Sequence, residues 1–87
     1  MTVAGPHPAI RTADETAQLT WDLLLEAIQR HAVNRKKWPN LTDASNTTTI
    51  ERFIYTLYAL TGEDNDSIRQ RAQWAALANT DDPALFT

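Results

Sequence analysis

Ala17, Trp21, Leu24, Leu25, Ile28 and Ala32 recur at intervals of three and four residues. That spacing places all six on one face of a helix, and a strand, with its period of two, cannot do so. Thr12-Ala13-Asp14-Glu15 stands just before the run and reads as a capping box. The Thr12 hydroxyl can accept from the Glu15 amide, and Glu15 can reach back to the Thr12 amide. Asp14 and Glu15 also suit the positive end of the helix dipole, and Glu26 and Arg30 stand four apart in the favourable order. The helix should fade between Val33 and Lys37, because Pro39 disfavours a helical Trp38.

The same logic continues along the chain. Residues 38–47 read as a loop, with Trp38 and Leu41 expected to plug the edge of the core. Thr48-Thr49-Ile50-Glu51 resembles a second capping box. Behind it, Ile50, Phe53, Ile54, Leu57, Tyr58 and Thr61 form a broad apolar face widened by Leu60. Gly62 is a natural left-handed stop. Asn65 or Asp66 is expected to cap a third helix that runs to Asn79, with Ile68, Ala72, Ala75 and Ala76 as its inner row. Asp82-Pro83 can start a last turn that tucks Leu85 and Phe86 against the body.

These elements predict an all-α fold, a small antiparallel three-helix bundle with a short C-terminal helical turn. Residues 12–87 form its single helical domain, and residues 1–11, with Gly5, Pro6 and Pro8, form a loose N-terminal arm. Trp21, Leu24, Ile28, Ile54, Leu57 and Ile68 are the predicted core. A chain of 87 residues buries only about 60% of its unfolded surface, so its stability is expected to be modest.

Composition narrows the function. No cysteine is present, which excludes disulfides, thiolate metal sites and a cysteine nucleophile. His7 and His31 have no partners at a ligand spacing, and Asp22 with Glu26 lacks the Glu-x-x-His pairs that a bundle carboxylate site needs. Asp64, Asn65 and Asp66 follow Gly62 rather than precede a central glycine, so they suit a capping turn better than a calcium loop. Ser45 and Ser67 are the only serines, neither in a glycine-flanked elbow, and the only glycines, Gly5 and Gly62, make no phosphate cradle. The sequence therefore points to a non-enzyme with no cofactor and no metal. The N-terminal residues do not read as a signal peptide and no run is long enough to span a membrane, so a cytoplasmic location is expected.

Two surfaces remain. The first is surplus apolar area: Leu19 and Leu23 point away from Trp21 and Ile28, Tyr55 lies off the main face of the second helix, and Trp74 and Leu77 lie away from Ala72 and Ala76. Either the arm, the loop and the tail cover these residues, or they bind a partner protein. The second is a helix-turn-helix over residues 50–79, a DNA-binding regulator in which Ser67, Arg69, Gln70 and Gln73 would face base edges and Arg35, Lys36 and Lys37 would add positive charge. The formal charge of −3 and the acids Glu63, Asp64 and Asp66 at the recognition end oppose it. The leading expectation is a non-catalytic interaction module: a small adaptor, accessory subunit or inhibitor acting through a helical surface, with a homo-oligomer one form of it. The DNA-binding regulator is the alternative.

Overall fold

A computed structural model describes residues 12–40 and 42–86. The arm expected over residues 1–11 and the anchoring expected of Leu41 lie outside them. Three helices follow in order: α1 (Ala13–Lys37), α2 (Ala44–Thr61) and α3 (Asn65–Ala78), with a final 3-10 turn at Pro83–Phe86. No strand occurs among the described residues.

The ends of α1 follow the local chemistry. The Thr12 hydroxyl accepts from the Glu15 amide at 3.1 Å, which satisfies one of the four unpaired N–H groups of the first turn. Trp38, held out of helical geometry before Pro39, closes the other end by donating its amide to the Asn34 carbonyl. Trp38 does not plug the core, however. Its side chain is exposed, beside the Lys37 ammonium 5.8 Å from the ring centre.

The start of α2 differs from the capping-box expectation. The cap is Asp43, five residues before Thr48, and the loop shrinks to residues 38–43. The hydroxyls of Thr47 and Thr49 donate to carbonyls four residues back, at Asp43 and Ser45. Thr48 lies inside α2, where the amides ahead of it bond to carbonyls of the helix itself, so no cap forms there. Gly62 ends α2 at φ +77°, donating its amide to the Tyr58 carbonyl. The cap of α3 is Asp64, one residue before the expected pair; one of its carboxylate oxygens accepts from the amides of Asp66 and Ser67.

The core is one cluster shared by the three helices: Leu24, Ala27 and Ile28 from α1, Ile50, Ile54 and Leu57 from α2, and Ile68, Ala72 and Ala76 from α3. Leu24, Ile54 and Ile68 are its largest fully buried side chains. Burying each one contributes about 1.5–3 kcal/mol. Trp21, predicted as core, is only half-buried and packs on the rim with Ala17, Leu25, Phe53 and Phe86. Tyr58 and Thr61 also fall outside the buried face: Ile50, Ile54 and Leu57 already fill the contact with α1, and both neighbours turn to solvent. Among the described residues the one buried polar residue is Thr20, which donates its hydroxyl to the Thr16 carbonyl at 2.7 Å and so is not left unpaired.

Contacts across the bundle fix the directions. Asp43, ahead of α2, meets His31 and Asn34 near the end of α1, so α1 and α2 are antiparallel. Trp21 meets Arg71, and further along Gln29 donates to the Ala76 carbonyl at 3.4 Å, so α3 runs with α1.

Candidate interaction surface

The helical period determines what α3 shows to solvent. With Ile68, Ala72 and Ala76 turned inward, Gln70, Gln73, Trp74 and Leu77 fall on the outside. Trp74 is 67% exposed and Leu77 36%. Together with Gln73 and with Phe86 from the C-terminal turn they line a shallow hollow of about 160 Å³. Phe86 reaches it because the 3-10 turn folds back on the bundle, where the ring also touches the core. Among the described residues, no ionisable side chain lines this hollow.

The charges of α3 are drawn off this face. Between Ser67 and Ala78 the only ionisable residues are Arg69 and Arg71. Arg69 pairs with Glu51 of α2 at 2.8 Å. Arg71 makes a two-pronged contact with Glu63 in the turn, Nη2 to Oε1 at 2.7 Å and Nε to Oε2 at 3.2 Å. These hydrogen bonds hold the Glu63 carboxyl below its ordinary range, helped by the Ser67 hydroxyl, which donates to it at 2.9 Å.

The other predicted partner residues do not join Trp74 and Leu77. Leu19 and Leu23 are exposed, yet each stands two residues from Trp21 and so points nearly opposite to it. Trp21 is the side of α1 that meets α3. Leu19 and Leu23 instead share the outer stripe of α1 with the Glu26–Arg30 ion pair, 3.0 Å long. Tyr55, 65% exposed, borders a separate hollow with Thr48, Glu51, Arg52 and Thr56. Five apolar residues that one sequence pattern picked out thus occupy three stretches of surface.

The residues of the DNA-binding alternative are separated as well. Ser67, Arg69 and Gln70 lie on the first half of α3 and Gln73 just past its middle, and Glu63 and Glu51 engage the Ser67 hydroxyl and the Arg69 guanidinium. Arg35, Lys36 and Lys37 form the last turn of α1. Lys36 pairs with Asp82 at 3.0 Å, beyond the end of α3, so this basic cluster sits beside the opposite end of α3 from Ser67 and Arg69.

One polar cluster was not foreseen. A single oxygen of Asp43, Oδ2, accepts from His31 Nδ1 at 2.8 Å and from the side-chain amides of Asn34 and Asn46 at 3.2 Å each. A carboxylate only accepts, so the imidazole carries its proton on Nδ1. The His31 bond, with the two amides, holds the Asp43 carboxyl below its ordinary value against the opposing effect of burial. His31 and Asn34, three apart on α1, were the available signal; their partner is set only when α2 folds back. The cluster fastens the start of α2 to α1.

Among the described residues, no group of three or more His, Asp or Glu side chains is placed to hold a metal ion. No described helix is long and apolar enough to cross a membrane. No family model, no curated protein and no solved structure matches this chain.

Proposed function

We infer that the protein is a non-catalytic interaction module and that the outer face of α3 is its binding face. The observation that carries this reading is Trp74: an indole 67% exposed, beside Leu77 and Phe86 in an uncharged hollow. A lone exposed apolar residue needs no explanation, but a tryptophan grouped with two further apolar side chains forms an anchor of the kind that dominates protein interfaces. Adaptor, accessory subunit and inhibitor are all roles that such a face can serve. Arg69 and Arg71 favour this reading over a DNA-binding one, because both are committed to carboxylates of the same chain. A phosphate would have to displace those acids before either guanidinium became available.

The test is a comparison of the wild-type chain with Trp74→Ala. Both should melt at the same temperature, since the indole is solvent-facing. Association with a partner protein should weaken by on the order of thirtyfold, the effect of losing an anchor worth about 2 kcal/mol. A variant that unfolds, or one that binds as the wild type does, would return Trp74 to a structural or neutral role.

A further inference from the structure

We draw no further inference here: the strongest candidate, the surface patch at the end of α1 where the exposed Trp38 stands beside the Lys37 ammonium, carries nothing, because the adjacent Lys36 is already paired with Asp82 and nothing in the structure shows what covers the indole.

Discussion

The guanidinium of Arg71 lies 4.1 Å from the centre of the Trp21 ring. The same group grips Glu63 with two hydrogen bonds, so one side chain of α3 ties together α1, the turn after Gly62 and its own helix. The planar fork allows this: one face stacks on the indole while the edge meets the carboxylate. Trp21 is left on the rim by this arrangement, since an indole sandwiched under a solvated guanidinium is not sealed in the core.

Arg71→Ala should therefore destabilise the fold by about 1 kcal/mol, a value kept low by the exposure of the pair. Arg71→Lys should recover less than half of the loss, because an ammonium restores charge but neither the stack nor the two-pronged contact. Urea denaturation of the three proteins measures this, and equal stability of the lysine variant and the parent would show that charge alone matters.

Leu57→Ala tests the packing of α2 on α1 and α3. Leu57 is 3% exposed and belongs to the shared core cluster. The truncation should cost about 2–5 kcal/mol in the same denaturation experiment. A change within error would mean that α2 presents another face.

Gly62→Ala should cost about 1–2 kcal/mol through the backbone alone. The residue sits at φ +77°, and a Cβ built there meets nothing within 4 Å, so no clash contributes. Gly62→Asn, which tolerates the left-handed region better, should lose less than alanine does. Equal losses for the two would show that the turn relaxes out of this conformation.

Stability should fall with acid. The Asp43 carboxyl titrates below its ordinary value near 3.8, held down first by the His31 hydrogen bond. A carboxyl whose folded value is depressed contributes stability that is fully present above the unfolded value and is lost as pH falls through the folded one. Glu63 is depressed in the same direction by Arg71 and adds to the same limb. Denaturation midpoints should thus be level above about pH 5 as far as these two groups are concerned, and should decline below about pH 4. Asp43→Asn and Glu63→Gln should each flatten part of that decline. A decline unchanged in both variants would assign the acid sensitivity to other groups.

The contrast between the N-caps of α1 and α2 shows which parts of this fold were legible. Thr12 works as its local pattern says, because both partners of the cap are three residues apart. Asp43 is invisible to the same reading: its partners include His31 and Asn34, twelve and nine residues away on another helix. The capping-box pattern at Thr48 drew attention instead, although threonine hydroxyls can equally bond backwards, as Thr47 and Thr49 do. The candidate site was half legible in the same sense. Helical period alone turned Trp74 and Leu77 outward. The neutrality of their face depends on where Arg69 and Arg71 find acids, and Glu51 lies eighteen residues from Arg69.

The inner row of α3 has a kinetic consequence. Two of its three buried side chains, Ala72 and Ala76, are single methyl groups, whereas α2 inserts Ile50, Ile54 and Leu57. Methyls allow close approach but withdraw little apolar area from water, so α3 depends on Ile68 and on a perimeter of contacts, exposed at Arg69 and Arg71 and half-buried at Gln29. Amide hydrogens of α3 should exchange with deuterium through a partial opening that swings about Gly62, while those of α1 and α2 wait for global unfolding. Whatever settles on Trp74 would then slow exchange along the whole of α3, making the protection of its amides a direct reporter of occupancy.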